Sequence, residues 1–293
     1  MIVGTRNSMK YKAYIQLIRP KHYLKNVLIF LPLIFSGQLL EGQSLLRALA
    51  AFAAFSMVAS TVYIVNDLRD KKLDRLHPKK KNRPIASGKV SVSGAILTAA
   101  ALLVLAAAFQ AFANISAISI GLLVFYFIIN VLYSFGFKNI PIIDVGILSL
   151  GFVVRVFYGG DAIEVEVSHW LYLAVLAFSF YLSLGKRRNE IIRLGSETRK
   201  VNRLYNKDFL DKNMYVCLGL TIMYYSLWAI DPTQPVKLMY LTVPVVILIV
   251  MTYSLSVESG ESDGDPVNVL VGSKPLLLLV LFYGLLMTGL VYL

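Results

Sequence analysis

Four oxygen-bearing side chains occur at helical spacing in one short stretch of the sequence. They are Asn66, Asp67, Asp70 and Asp74, and Tyr63 precedes them by about one turn. On an α-helix, which turns by about 100° per residue, all five side chains fall within a sector of about 100°. Neighbouring carboxylates repel one another unless a cation lies among them, and oxygen ligands favour a hard ion such as Mg²⁺. Because Mg²⁺ takes phosphate oxygens as further ligands, the pattern predicts a Mg²⁺ site that binds a diphosphate.

Basic residues follow the aspartates and could bind the phosphate oxygens that the metal leaves free. The chain continues with Arg75, Lys80 and Arg83 in a loop that is rich in Lys and Arg. Two plainer explanations apply to such a loop. Its cations can fix the orientation of a membrane protein, or they can pair with acids along a surface helix. The first explanation does not account for the aspartates. The second does, but the position of the aspartates at the end of a membrane helix, next to HPKKKNRP, leads us to favour a phosphate site.

The segment DVGILSLGFVVRVFYGG places an acid and a base inside an apolar stretch. Asp144 and Arg155 project from nearly the same side of a helix, but about 16 Å apart along its axis, so they cannot pair directly. Ionisable groups within a membrane usually face the protein interior. Arg155 therefore needs an anion from elsewhere, either a ligand phosphate, which we favour, or a carboxylate on another helix.

Four further cations stand where apolar stretches meet the polar loops: Lys25, Lys138, Lys186 and Arg187. Each one alone is explained as an anchor whose long side chain reaches the membrane surface. Around a diphosphate site, however, they would form a ring of positive charge at one mouth of the protein. We therefore include all four among the candidate substrate-binding residues.

Membrane helices must position these side chains. Hydrophobic residues make up 57% and charged residues 16% of the 293-residue chain, and its mean hydropathy is +0.66, whereas soluble domains average roughly 25% charged residues. Apolar stretches near the ~20 residues that span a bilayer recur along the chain. The sequence predicts an all-α integral membrane protein, with about nine transmembrane helices in one domain (residues 1–293). The predicted spans are 24–40, 45–65, 91–112, 115–135, 140–159, 169–185, 214–231, 236–256 and 274–293.

The distribution of Lys and Arg predicts the orientation. With the N-terminus in the cytoplasm, nearly all of the 29 Lys and Arg residues fall on the cytoplasmic side, many of them in the loops 66–90 and 186–213. The net charge of +12 thus reflects topology, and we expect no nucleic-acid partner. We expect a protein of the inner (cytoplasmic) membrane whose site faces the cytoplasm, beside an acidic, Gly-rich stretch at 258–274 that has the composition of a flexible flap. The sequence does not indicate an oligomeric state.

The order of these motifs resembles the UbiA superfamily of intramembrane prenyltransferases. The resemblance implies a bundle of nine helices around a central cavity open to the cytoplasm and, laterally, to lipid. Within the superfamily, the chain is most similar to members that transfer phosphoribose to decaprenyl phosphate. The matching stretches are RPKHYLKNVLIFLPLIFSGQL (19–39), YIVNDLRDKKLDRLHPKKKNRPIASG (63–88), YSFGFKN with IIDV (133–145), GFVVRVFYGG (151–160) and LGKRRNE (184–190).

The chain departs from the superfamily pattern at one point. A typical member has a second acidic motif, DxxxD, after its sixth helix, where this sequence has Lys186, Arg187 and Glu190. Cations in place of carboxylates fit two anionic substrates better than one diphosphate and a neutral acceptor. The resemblance thus implies Mg²⁺-dependent transfer of 5-phosphoribose from phosphoribosyl diphosphate to a polyprenyl phosphate, with release of diphosphate.

The resemblance also implies roles for individual residues. Asn66 and Asp70 would be the principal Mg²⁺ ligands, with Asp67 and Asp74 as further ligands or as residues behind them. The catalytic candidates are Asp70, Asp74, Lys80 and Arg155. The candidates for binding the two substrates are Lys25, Tyr63, Lys80, Arg83, Lys138, Asp144, Arg155, Lys186 and Arg187.

Two other functions compete with this interpretation. The first is a prenyltransferase that moves a prenyl group from a prenyl diphosphate to an aromatic or other acceptor. The second is a transporter or lipid-binding scaffold without enzymatic activity. Loss of Mg²⁺ binding and of cellular function on replacing Asp70 would argue against the second.

Overall fold

The computed structural model describes residues 11–78, 80–195, 200–232, 236–259 and 264–292, and within these ranges helices joined by turns and loops are the regular structure. Six helices are long and apolar enough to cross a membrane, and the chain is a multi-pass membrane protein. Nine crossings stay a prediction. The helices are α1 (11–18), a 3₁₀ helix (Pro20–Phe30), α2 (Leu31–Phe35), α3 (Gly42–Leu76), α4 (Val92–Phe112), α5 (Ala117–Phe135), α6 (Ile143–Ala162), α7 (His169–Leu194), α8 (Lys207–Ala229), α9 (Val243–Glu258), α10 (Pro266–Gly272) and α11 (Lys274–Tyr292).

Helices α3 and α6 form the centre of the bundle. Their most apolar stretches are 67% and 61% buried, against 11% for α11. Small residues on α3, such as Ala51 and Ala54, let neighbouring helices approach, and Phe55 packs between Tyr126 of α5 and Tyr158 of α6. The two helices that carry the candidate aspartates and Arg155 are therefore the ones held most firmly by their surroundings.

The predicted first span, 24–40, is wrong as a single helix. Residues Pro20–Phe30 form a 3₁₀ helix, the short α2 follows, and Gly37 in the left-handed conformation ends it. Pro32 at the start of α2 has no backbone N–H, so it cannot continue the hydrogen bonding of the preceding helix. The 3₁₀ helix lies against α6, where a Cβ on Gly159 would stand 2.1 Å from the carbonyl oxygen of Ile29. Only glycine permits this approach.

Two helices extend beyond their predicted spans toward the candidate site. α3 continues past residue 65 to Leu76, so the prediction that the aspartates lie on a helix is confirmed. α7 continues past residue 185 to Leu194 and carries Lys186. Part of the predicted flap at 258–274 forms α10, while its residues 260–263 lie outside the described ranges. Gly264, at φ +71°, packs so closely on the backbone of Lys186 that a Cβ there would lie 2.8 Å from its Cα.

Candidate functional site

Arginines hold two of the four candidate metal ligands. Asp67 is buried, and its two carboxylate oxygens accept hydrogen bonds from Nη2 of Arg19 at 2.7 and 2.8 Å. Arg83 lies between two acids, because its Nη1 is 2.9 Å from Asp67 and 2.8 Å from Asp74. Asp67 and Asp74 are thus committed to ion pairs that tie α3 to the segments before and after it.

The other two candidate ligands have weaker or more exchangeable partners. Asp70 lies 2.9 Å from the ammonium of Lys138, at the end of α5, and both groups are about one-fifth exposed. Asn66 accepts a hydrogen bond at 3.1 Å from the hydroxyl of Ser134, also on α5. Asn66 and Asp70 stand one turn apart on α3, so their oxygens face α5 together.

The donor set fits a Mg²⁺ ion that is shared with a substrate. In the described ranges, no group of three or more His, Cys, Asp or Glu side chains is placed to hold a metal. A cage made only of protein carboxylates is therefore not built here, and the four predicted ligands do not converge on one point. Mg²⁺ in proteins is commonly held by one or two carboxylates, with waters and substrate phosphates completing its shell. Asp70 with the amide oxygen of Asn66 meets that requirement.

A second cluster of charged side chains brings together residues that are far apart in the sequence. The carboxylate of Asp265, at the start of α10, is 2.8 Å from Nζ of Lys25 and 3.9 Å from Nζ of Lys186. Burial, and then the charge of Lys25, lower the pKa of the Lys186 ammonium to about 8. Burial opposes ionisation of Asp265, but the two ammonium groups hold the pKa of its carboxyl below the ordinary value. The carboxylate of Asp265 is thus shared by the two ammonium groups.

His22 borders the same cluster. Burial, and then the charge of Lys25, lower the pKa of its imidazole to about 4, so the ring is neutral at physiological pH. Its Nδ1 is buried and makes no hydrogen bond within the described part of the chain. The ring lies 5.3 Å from that of Tyr63, over which Arg19 also stacks at 4.9 Å. Tyr63 therefore joins the aspartate face to the cluster of Lys25, Lys186 and Asp265.

Arg155 is buried among neutral groups. Its Nε donates to Asn26 at 2.8 Å, Nη2 donates to the hydroxyl of Tyr126 at 3.1 Å, and Nη1 donates to the carbonyl of Gly151. Only 5% of the residue is exposed. No carboxylate of the described residues pairs with it, so the predicted alternative of an acid on another helix is wrong for that part of the chain. The charge is stabilised instead by ring faces, including that of Phe55 at 4.8 Å.

Asp144 and Arg187 are bound to each other. Nε of Arg187 lies 2.6 Å from one oxygen of Asp144, and the hydroxyl of Tyr205 donates to the other oxygen at 2.7 Å. Arg187 also pairs with Glu190 at 2.6 Å. Both Asp144 and Arg187 are almost wholly buried. Ile142, at φ +69°, starts α6 and donates its backbone N–H to the same Tyr205 hydroxyl, which fixes Asp144 in the first turn of the helix.

The structure brings most of the predicted residues to one end of the bundle, but it does not merge them into one contact network. Tyr63 is within electrostatic range of Arg155, Arg19 and Asp265, and Tyr126 is within range of Arg155 and Lys25. Lys80 lies in a short 3₁₀ turn where its backbone N–H donates to His77. Arg75, considered from the sequence as a phosphate ligand, donates to the carbonyl of Ala86.

Several site residues were not among the sequence-based candidates. Asp265 lies in the stretch for which the sequence predicts only a flap, and Arg19 is the first residue of the matching stretch 19–39 without a predicted role. Tyr126 and Tyr205 had no signal in the sequence, since tyrosines are common in this chain. Asp265 had one: it is followed by Pro266, and an Asp before a Pro is typical of a helix start.

Comparisons with known proteins agree with this architecture. The sequence profile of the UbiA prenyltransferase family matches residues 29–264. Decaprenyl-phosphate phosphoribosyltransferase from Corynebacterium glutamicum is 31% identical to this chain over 91% of the chain and 83% of the relative. The enzyme of the same name from Mycobacterium tuberculosis is 31% identical over 91% of the chain and 90% of the relative. Among solved structures, a UbiA homolog from Archaeoglobus fulgidus bound to GPP and Mg²⁺ superposes with a TM-score of 0.73 at 20% identity, covering 96% of this chain and all of that one.

Proposed function

Because this chain belongs to the UbiA prenyltransferase family, we propose that it transfers 5-phosphoribose from phosphoribosyl diphosphate to a polyprenyl phosphate of the decaprenyl-phosphate type, with release of diphosphate. The chain is an enzyme of a transferase family, and the relatives named above carry the name of this activity. We propose the same activity for this chain and assign its steps to individual residues.

One observation carries the proposal: among the residues that the structure describes, the cations Lys25, Lys186 and Arg155 outnumber the carboxylates that pair with them. Lys25 and Lys186 share Asp265, and Arg155 is surrounded by neutral groups in the described structure. Burying an uncompensated cation is costly unless an anionic ligand arrives to pair with it. A reaction between two phosphorylated substrates supplies such anions, whereas a neutral aromatic acceptor does not.

Asn66 and Asp70 are the proposed Mg²⁺ ligands. When bound, Mg²⁺ neutralises the charge that develops on the diphosphate as its bond to the ribose breaks. Lys138 lies against Asp70, and it would turn from this carboxylate to the diphosphate when the donor binds. Asp67 and Asp74 are proposed to orient α3 through Arg19 and Arg83 instead of touching the metal.

The transfer needs little proton chemistry. An oxygen of the polyprenyl phosphate forms a bond to C1 of the ribose, and the bond from C1 to the diphosphate oxygen breaks with its electron pair leaving on the diphosphate. Since the acceptor is already an anion, no strong general base is required. The protein's tasks are to hold two anions close together and to stabilise the leaving group, which fixed cations accomplish. Lys25, Lys186, Lys80 and Arg155 are the proposed cations for these tasks.

Arg187 and Asp144 are proposed to act differently from the other candidates. Each has its charge satisfied within the protein, by the other and by Glu190 and Tyr205. Their buried pair fastens α7 to α6, so it fixes where Lys186, the residue before Arg187 on α7, presents its ammonium. Arg187 can still add to the field on the acceptor phosphate, but Asp144 is a positioning residue in this proposal.

The remaining parts of the proposal concern the membrane. We propose nine crossings around a cavity that opens to the cytoplasm of the inner membrane, as the placement of Lys and Arg favours. The polyprenyl phosphate would then enter from the bilayer with its phosphate at the cytoplasmic surface, and phosphoribosyl diphosphate would enter from the cytoplasm.

The test uses purified protein with Mg²⁺, labelled phosphoribosyl diphosphate and decaprenyl phosphate. Formation of a lipid-linked phosphoribose is expected, together with its loss when Mg²⁺ is chelated. Asp70→Asn should abolish the product, while Lys212→Gln, on α8 away from the site, is the matched control. No phosphoribosyl lipid from the native protein, but prenylation of an aromatic acid by a prenyl diphosphate, would replace the proposal with the prenyltransferase alternative.

A further inference from the structure

A groove on the lipid-facing side of the bundle has no role in the proposed reaction. Helices α4 and α5 both pack against α3 but make few contacts with each other. They leave a cavity of about 460 Å³ between them, with Val58 of α3 among the residues of its wall. The lining is mostly aliphatic, and on α4 it includes Ala106, Ala107 and Ala111, whose side chains are too small to fill the space.

Two polar side chains lie in this apolar lining: Asn114, which is exposed, and Gln110. Gln110 is 95% buried, since only 5% of the residue is exposed. Its amide oxygen and nitrogen are both buried, and neither has a hydrogen-bond partner in the part of the chain that the structure describes. Buried amides are nearly always hydrogen-bonded, so a partner from outside the described residues is expected. The groove therefore suits a ligand with a long apolar part and a polar group near one end.

The depth of Gln110 indicates which polar group. It stands 18 residues beyond Val92, the first residue of α4, which corresponds to about 27 Å along the helix. The hydrocarbon core is about 30 Å thick, and α4 begins on the predicted cytoplasmic side. Gln110 thus lies near the external boundary of the core, at the level of the glycerol esters of lipids. An isoprenoid chain that hangs from a cytoplasmic phosphate carries no oxygen at this depth.

We propose that the groove binds a diacyl phospholipid of the external leaflet, with an acyl chain between α4 and α5 and an ester carbonyl that accepts a hydrogen bond from Nε2 of Gln110. Phe55 and Tyr126, whose ring centroids are 4.5 Å apart, belong to the same hydrophobic cluster as Val58 and Leu123 of the groove. Tyr126 in turn bonds Arg155. The hydrophobic cluster that borders the groove thus includes residues that contact Arg155.

The test uses the full chain reconstituted in vesicles of phosphatidylethanolamine and phosphatidylglycerol. A few mole per cent of the phosphatidylglycerol carries a photoactivatable group in its acyl chain, and labelled residues are mapped by mass spectrometry. Labelling concentrated at Leu103 and Val124, which line the groove, is expected. Gln110→Leu should reduce it about tenfold, and Ala107→Phe, which fills the groove, should remove it. Ile118→Phe, on an exposed face of α5 outside the groove, should leave it unchanged.

Two further experiments identify the class of lipid that binds. An ether-linked analogue of the same phosphatidylglycerol lacks the carbonyl, so it should label the native groove no better than the ester lipid labels Gln110→Leu. Excess decaprenyl phosphate should not displace the label. Displacement by decaprenyl phosphate would assign the groove to the acceptor, and labelling spread evenly over the lipid-facing residues of α4 and α5 would show that no lipid site exists. Either result overturns the proposal.

Discussion

Replacing Arg155 by methionine tests whether this residue binds substrate or supports the fold. Methionine is unbranched and nearly as long, so Arg155→Met removes the charge and the hydrogen bonds while keeping most of the packing. The partners lost are the oxygens of Asn26 and Tyr126 and the carbonyl of Gly151, all of them neutral. No buried carboxylate is left without its cation by this change.

The two expected effects differ in size. A hydrogen bond to a charged group contributes about 1.5–3 kcal/mol, so loss of one bond from Arg155 to a substrate phosphate should raise the dissociation constant roughly 10- to 150-fold. For folding, the loss of three hydrogen bonds of the same charge-assisted kind is offset by removal of a buried charge whose desolvation also costs several kcal/mol. The net change in the free energy of unfolding should therefore stay within about 2 kcal/mol.

Titration calorimetry with Mg²⁺ and phosphoribosyl diphosphate measures the first effect, and steady-state KM values for donor and acceptor show which phosphate Arg155 binds. Denaturant unfolding in detergent measures the second. Arg155→Lys keeps the charge and should lose less affinity than Arg155→Met for the same substrate. Unchanged dissociation and Michaelis constants for both substrates, combined with a loss of stability above about 3 kcal/mol, would refute the reasoning and make Arg155 a structural residue.

Three other changes test the remaining parts of the site. Gly159→Ala should destabilise the protein by about 1–3 kcal/mol, because its Cβ meets the Ile29 carbonyl, whereas Gly146→Ala on the same helix meets nothing within 4 Å and should be neutral or slightly stabilising in thermal unfolding. Asp67→Asn should lower the free energy of unfolding by about 3 kcal/mol while Mg²⁺-dependent donor binding persists in the folded fraction. Asp70→Asn should abolish Mg²⁺-dependent donor binding and leave the free energy of unfolding nearly unchanged. Equal effects of the two variants would contradict the assignment of Asp67 to the fold and of Asp70 to the metal. The Lys186 ammonium carries its charge below a pKa of about 8, so kcat/KM for the donor should fall as the pH rises through 8, and Lys186→Arg, which stays charged, should abolish that fall in a pH profile.

The sequence predicted the helices that carry the site better than it predicted the contacts within it. Helical spacing was sufficient to place Asn66 to Asp74 on one face of α3, since α3 continues as a regular helix to Leu76. The spacing could not show that Arg19 and Arg83 form ion pairs with Asp67 and Asp74, because those pairs depend on how the chain turns back before and after α3. A periodic pattern reports one helix at a time, whereas ion pairs between segments depend on the tertiary fold.

The first predicted span shows the same limit for the backbone. Residues 24–40 are apolar and of suitable length, yet they form a 3₁₀ helix followed by a short α-helix. The reason lies on another helix, where Gly159 leaves room for the segment to pack directly on α6. That approach also brings Asn26 to Arg155. Pro32 and Gly37 are local signals of the break, but the hydrogen bond from Arg155 to Asn26 has no signal within residues 24–40.

The balance of charge at the site explains why a carboxylate from the far end of the chain belongs there. The stretch LGKRRNE supplies Lys186, and without Asp265 the ammonium groups of Lys25 and Lys186 would repel each other in a partly buried setting. One shared carboxylate reduces that repulsion but leaves a net positive charge, to which the buried guanidinium of Arg155 adds. If carboxylates of the protein neutralised both lysines, no positive charge would remain to attract an anion. Without any carboxylate, the two ammonium groups would destabilise the substrate-free site. Asp265→Asn should therefore lower the stability of the substrate-free protein and increase the stabilisation that added diphosphate provides in thermal unfolding. If added diphosphate stabilised Asp265→Asn and the native protein by the same amount, the shared carboxylate would not be part of the anion site.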